Sequence, residues 1–199
     1  MKFSLVVGTY NRVKDLEKFL FYLGKQTYKN FETIIVDQND DGRLNELIAQ
    51  YSQGCNIKYI HSNLRGLSRA RNIGLKYISG DIIAFPDDDC WYFDESLLAR
   101  IVDYFKEHPR IDGCATRIKE EPERIWFINL WKCKRNDAYL NKNSVLSIIS
   151  SALFIRYQVV NDVGRFDEEL GPGSSTKYGA GDESDYMIRV LTSRFSTCF

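Results

Sequence analysis

The sequence lacks any charge excess: 27 Lys and Arg stand against 27 Asp and Glu. Without a basic footprint, nucleic acid is not an expected partner. No C-x-x-C pair occurs among the five cysteines Cys55, Cys90, Cys114, Cys133 and Cys198. Their odd number and scatter, with no signal peptide ahead of them, predict reduced thiols in a cytoplasmic protein. The apolar run after Met1-Lys2-Phe3-Ser4 is too short for a signal-peptide core. No apolar run is long enough to span a bilayer, and the longest weakly polar stretch, Val145 to Ile155, holds three serines. Internal repeats, coiled-coil heptads and low-complexity segments are also missing. Histidine is scarce, with only His61 and His108.

What is present suits one domain: 199 residues, 44% apolar and 27% charged. The first hundred residues alternate in type. Short apolar or β-branched runs predict strands at Phe3–Val7, Thr33–Val36, Ile57–Ile60 and Ile82–Phe85. Helical spacing predicts helices over Leu16–Leu23 (with Asn11 as cap), Leu44–Tyr51, Leu67–Ile78 (stopping at Gly80) and Leu97–Phe105 (capped near Asp94). Strands alternating with helices mean β-α-β units and a mainly parallel sheet. After residue 110 the pattern loosens. It predicts strands near Gly113–Ile118 and Ala152–Ile155, an excursion over 119–143 and a helical turn at Tyr157–Val163. A mobile loop with Gly171, Pro172, Gly173, Gly179 and Gly181 leads to a helix from Met187. The aromatic segment Ile125 to Trp131, with Lys132, Lys134 and Arg135 behind it, has two readings. It is a core-packing or acceptor-side element, or a peripheral contact with the inner face of a membrane.

Ligands of parallel sheets sit outside the carboxyl ends of the strands. The residues just past three predicted strands are Gly8-Thr9-Tyr10-Asn11, Asp37 and Asp87-Asp88-Asp89, so all three groups are expected along one sheet edge. Adjacent carboxylates repel one another and call for a cation, and hard oxygen donors suit Mg²⁺ or Mn²⁺. Asp87 and Asp89 point to the same side of an extended chain, an Asp-x-Asp arrangement. The bland alternative is an acidic turn capping the next helix. Asp37 can accept hydrogen bonds from a base or ribose. Arg69 and Arg71 open a helix on different faces, so one of them is expected at the site and the other in a surface ion pair. Gly181-Asp182-Glu183-Ser184-Asp185 puts a second acidic cluster at a helix start. It can supply a general base, or serve only as a cap and dipole partner.

Taken in order, these segments resemble family 2 glycosyltransferases with the GT-A fold. The landmarks are Thr9-Tyr10-Asn11-Arg12, Ile35-Val36-Asp37, Gly66 to Gly74, Phe85-Pro86-Asp87-Asp88-Asp89, Gly164-Arg165-Phe166-Asp167-Glu168 and Gly181 to Asp185. The resemblance runs from about Phe3 to Leu191. It implies an α/β, Rossmann-like three-layer sandwich and an inverting transfer from a nucleoside-diphosphate sugar, UDP-linked, to a glycan or lipid-linked hydroxyl in polysaccharide or surface-glycan assembly. It implies that Thr9, Tyr10, Asn11 and Asp37 hold the nucleoside, with Arg71 near the base. Asp87, Asp88 and Asp89 serve the metal-diphosphate site, and Asp89 and Asp87 hold Mn²⁺ or Mg²⁺. Glu183 is the implied base, with Asp182 as its substitute, and Asp185 orients the acceptor. Residues 1–110 form the donor half and 111–199 the acceptor half.

Two departures matter. The late pair is Asp-Glu where the family has Glu-Asp or Glu-Glu, so the two roles can swap. Family members also continue past this helix, with a metal-binding histidine that both His61 and His108 precede, so a C-terminally truncated member is expected. Two other readings remain at this point. A nucleotidyltransferase would want a Gly-rich basic loop after the first strand. A non-catalytic remnant would bind nucleotide sugar or a partner enzyme.

Overall fold

A computed structural model describes residues 1–120, 126–130, 150–192 and 197–198. Among these residues eight strands form one sheet: β1 (Phe3–Thr9), β2 (Phe31–Asp37), β3 (Ile57–His61), β4 (Ile82–Ala84), β5 (Gly113–Glu120), β6 (Trp126–Leu130), β7 (Leu153–Arg156) and β8 (Thr197–Cys198). Among the described residues six helices accompany them: α1 (Val13–Gly24), α2 (Asn45–Cys55), α3 (Leu67–Leu75), α4 (Leu97–Glu107), α5 (Tyr157–Val163) and α6 (Asp182–Thr192).

The sheet runs β3-β2-β1-β4-β7-β5-β6, with β8 on β5. The first four strands are parallel, whereas β7 is antiparallel to both β4 and β5, and β6 is antiparallel to β5. Each parallel strand before β4 is followed by a crossover helix, which returns the chain to the same end of the sheet. The chain builds outward from β1 to β3, then comes back to set β4 on the other side of β1. Strand order therefore reverses between β2 and β4, and the crevice past the carboxyl ends there is where such sheets bind ligands.

Strand alternation divides the core into two clusters. Phe3, Leu5 and Val7 face α1, α2 and α4, while Val6 faces the other side with Ala70 of α3 and residues of α5 and α6. The result is three layers, helices on both faces of the sheet. On α1 the predicted stripe Leu16, Phe19, Leu20 and Leu23 is fully buried, each side chain stabilising by about 1.5–3 kcal/mol.

α3 packs unusually close to the sheet because small residues meet there. A Cβ on Gly74 would lie 2.4 Å from Val6 Cγ1, and one on Gly8 would lie 2.7 Å from Ala70 Cβ. Gly74→Ala is expected to destabilise the chain by about 1–3 kcal/mol through overpacking, read as a lower urea midpoint. An unchanged midpoint would mean that α3 can back away from β1 freely.

Several local expectations need correction. Asn11 does not cap α1. It adopts φ of 60°, Arg12 is the cap residue without a side-chain cap bond, and Asn11 Oδ1 accepts from Arg43 Nη1 at 2.5 Å. α3 ends at Leu75, well before Gly80. Gly80 is required for a different reason: a Cβ there would stand 2.6 Å from the Ser4 backbone nitrogen. α6 begins at Asp182, five residues before Met187, because the three acids of its first turn favour a helix start. The glycine segment is tied to the core, with Leu67 N donating to Pro172 O at 2.9 Å and Ser68 Oγ to Leu170 O at 3.0 Å. Of the basic-aromatic segment, Lys132, Lys134 and Arg135 lie outside the described residues, as does Cys133. Most of the 119–143 excursion does too, though β6 falls within it. Among the described residues no helix is long and apolar enough to cross a membrane, and Cys55, Cys90 and Cys114 are free and buried.

Candidate active site

A cleft of about 580 Å³ opens at the reversal of strand order. Its floor is Gly8, Thr9 and Tyr10 past β1 and Asp87, Asp88 and Asp89 past β4. One wall is Arg65, Gly66 and Leu67 at the start of α3, and the opposite wall is Gly179 to Ser184, where the glycine loop runs into α6. The two acidic clusters, far apart in the chain, therefore face one space.

Arg71 of α3 lies beneath them with 1% of its side chain exposed. Its Nη1 donates to Asp182 Oδ2 at 2.8 Å, and its Nη2 reaches Asp87 Oδ1 at 3.1 Å and Glu183 Oε1 at 3.5 Å. Asp182 is sealed at 5% exposure, whereas Asp87 and Glu183 keep 23% and 25%. Gly171, at φ of 89°, makes room for Asp182, since a Cβ there would come within 2.6 Å of the Asp182 carboxyl carbon. On the other side Arg12 pairs with Asp89 and lies 3.5 Å from Asp88.

Burial outweighs these partners for the donor-side acids. Desolvation pushes Asp87 up to about 6, against the pull of Arg71 and with the push of Glu183 and Asp89. Desolvation likewise pushes Asp88 up to about 7; Thr9 and Arg12 oppose it, while Asp89 and Asp87 add to it. Thr9 Oγ1 stands beside Asp88 short of ordinary hydrogen-bond geometry and is buried without a partner. Asp182 is also raised, again first by desolvation.

An acid raised in the folded state holds its proton more tightly than in the unfolded chain. The Asp88 penalty therefore grows as pH rises from about 4 to about 7, and is full above that. Asp88→Asn removes it. We expect the metal-free variant to be more stable than the parent at pH 8, on the order of 1–2 kcal/mol. The gain should shrink toward pH 5 in parallel thermal melts. A pH-independent difference would contradict this.

The donor set fits a hard divalent cation. Asp87 and Asp89 oxygens and the Cys90 sulfur lie within 4.8 Å of one another. Both carboxylates are now balanced by arginines, a sign that the site wants positive charge, and the orphaned Thr9 hydroxyl offers a further oxygen on the same floor. Asp87 and Asp89 are the residues that would hold Mn²⁺ or Mg²⁺.

With this geometry in view, the chain can be compared with known proteins. Glycosyl transferase family 2 matches residues 4–164. The chain belongs to this family. An uncharacterized glycosyltransferase of Rickettsia bellii is 33% identical over 173 residues, covering 86% of this chain and 24% of its own length. Staphylococcus aureus TarS, a poly(ribitol-phosphate) beta-N-acetylglucosaminyltransferase, was solved as residues 1–349 with UDP-GlcNAc. It superposes with a TM-score of 0.74 at 23% identity, over 96% of this chain and 53% of that one. The mannosyltransferase PcManGT of Pyrobaculum calidifontis, solved with GDP-Man and Mn²⁺, gives a TM-score of 0.72 at 14% identity, over 98% of this chain and 53% of that one. The likeness to both solved proteins is one of fold, the GT-A sandwich. The chain spans about a quarter of the Rickettsia protein and about half of each solved chain.

In this family 2 chain the structure brings Thr9, Tyr10, Asp87, Asp88, Asp89, Asp182 and Glu183 to one cleft. Four other predicted residues are not in its lining. Arg71, expected near the base, is engaged by Asp182, Asp87 and Glu183 beneath the cleft. Asp37 is fully buried and accepts from Asn39 N at 2.8 Å, from Asn39 Nδ2 at 2.6 Å and from Tyr59 Oη. Asn39 Oδ1 in turn accepts from the Asn11 backbone at 2.8 Å, so Asp37 and Asn11 brace the loops beside the cleft. Asp185 pairs with Arg189 one turn on, at 2.7 Å, off the cleft. Arg69 takes the surface role expected of one of the two arginines, pairing with Glu168 at 2.9 Å. Sequence reasoning missed Gln38 and Arg65. Gln38 lines the cleft while donating to Leu64 O and Gly66 O, and the Arg65 guanidinium stacks 4.4 Å over the Tyr10 ring. Neither belongs to a spacing motif. The one available signal was their position just after β2 and just before α3.

Proposed function

We propose that this chain is a catalytic glycosyl-transfer module. It moves a sugar from a nucleoside-diphosphate sugar, UDP-linked in our reading, to a hydroxyl of a glycan or lipid-linked acceptor, with inversion, in polysaccharide or surface-glycan assembly. The observation that carries this is two carboxylate sets, far apart in the chain, that line one cleft. Asp87 and Asp89 lie at a strand end, and Asp182 and Glu183 at a helix start. Family membership supports transfer as the chemistry, and the nucleotide sugars bound by TarS and PcManGT support the donor class.

In this reading residues 1–110 serve the donor and 111–199 the acceptor. Tyr10 and Arg65 flank the nucleoside, with Asp37 holding Asn39 beneath it. Asp87 and Asp89 hold Mn²⁺ or Mg²⁺, which when bound neutralises the leaving diphosphate as a Lewis acid. Glu183 serves as base because its carboxylate reaches the cleft, whereas Asp182 is sealed against Arg71. Glu183 takes the proton of the acceptor hydroxyl as that oxygen bonds to the anomeric carbon. The bond from that carbon to the diphosphate oxygen breaks on the opposite face, which inverts the centre.

The test is a panel of UDP- and GDP-sugars with simple glycoside acceptors, with the product anomer read by proton NMR. Donors are α-linked in the panel, so a β-linked product is expected. An α-linked product would overturn the inverting assignment and the role of Glu183 as a base acting on the acceptor.

A further inference from the structure

We infer that Arg71 is a positioning residue that ties the late acid pair to whatever occupies the donor-side carboxylates. The inference rests on the reading of Asp182 and Glu183 as the acids next to the acceptor.

One buried cation serves three carboxylates from the floor and one wall of the cleft. Nη1 is committed to Asp182 at 2.8 Å, but Nη2 is shared between Asp87 at 3.1 Å and Glu183 at 3.5 Å. The cation cannot follow either partner far. Gly74 against Val6 and Ala70 against Gly8 pin α3 to β1. The ring of Phe166 backs the guanidinium, 5.2 Å from its centroid, and that ring is stacked at 4.0 Å on Tyr186 of α6. With Arg71 fixed, the carboxylates are the movable parties. A divalent cation that takes Asp87 withdraws it from Nη2 and leaves that nitrogen to Glu183. Filling of the donor-side carboxylates thereby orients Glu183. A lysine cannot substitute, because a point ammonium does not present two edges to floor and wall at once.

This gives opposite signs for two measurements. Arg71→Gln removes the competitor for Asp87, so Mn²⁺ alone, followed by the electron-spin-resonance signal of the free ion, should bind at least about fivefold tighter. The same variant should transfer roughly 100-fold more slowly at saturating donor, because Glu183 is no longer held in place. Arg71→Lys should leave Mn²⁺ affinity near that of the parent and still lose most of the rate. A purely structural role would weaken both metal binding and transfer in step, and that result overturns the inference. Parent-like transfer by either variant also overturns it. If circular dichroism shows that Arg71→Gln does not fold, the Arg71→Lys rate decides alone. If the parent chain transfers from no donor, the proposed function fails, while the Mn²⁺ comparison still decides whether Arg71 competes for Asp87.

Discussion

Glu183→Gln is expected to slow transfer by roughly 100- to 10,000-fold, the usual loss of a positioned base, with nucleotide binding little changed. Glutamine keeps the shape of the side chain and removes its capacity to take a proton. Glu183 lies on the α6 wall and touches the donor-side floor through Arg71 Nη2, shared with Asp87, so metal and nucleotide binding should change far less than the rate. Steady-state rates together with calorimetric titration of UDP in the presence of Mn²⁺ check both halves. Asp182→Asn is a poorer probe. It breaks a buried pair with Arg71, which costs on the order of 3–5 kcal/mol, so any loss of activity would be mixed with loss of fold. If a folded Asp182→Asn were silent in transfer while Glu183→Gln stayed active, the two acids would have exchanged roles.

The second large effect belongs to Asp89. Asp89→Ala is expected to abolish Mn²⁺ binding and to lower transfer on the order of 1000-fold, since it removes charge stabilisation aimed at the leaving group. The fold should be nearly unaffected. Asp89 is 44% exposed and its partner Arg12 is 48% exposed, and a surface pair of that kind contributes about 0–1 kcal/mol. Melting temperature and Mn²⁺ titration on one preparation separate the two effects. Retention of metal binding in Asp89→Ala would move the site onto Asp87 and Asp88.

The sequence made the donor half of the fold legible because parallel strands are buried on both faces and so read as apolar runs. Phe3–Val7, Thr33–Val36 and Ile82–Phe85 all announce themselves this way, and the aspartates after β4 follow from the strand-end rule. What escaped depended on contacts between distant segments. Asn11 looks like a cap until Arg43 and Asn39, about thirty residues on, claim it. Arg71 is expected near the site from its place at a helix start, but its burial beneath the acids depends on Gly8, Ala70 and Gly74 letting α3 settle onto β1. Gly80 resembles a helix stop, but its backbone neighbour is Ser4. The second half read as irregular because its strands pair antiparallel and out of sequence order, β7 lying between β4 and β5. Local periodicity carries no trace of that.

The central claim is that one cleft joins a metal-held nucleotide sugar to a base. Its most direct test is release of nucleoside diphosphate from UDP-sugars, measured with Mn²⁺ and again with excess chelator, in the chain as it stands. Release is expected with Mn²⁺, restored after chelation by adding the ion back, and none with chelator alone. Equal release in the presence of chelator would contradict the claim.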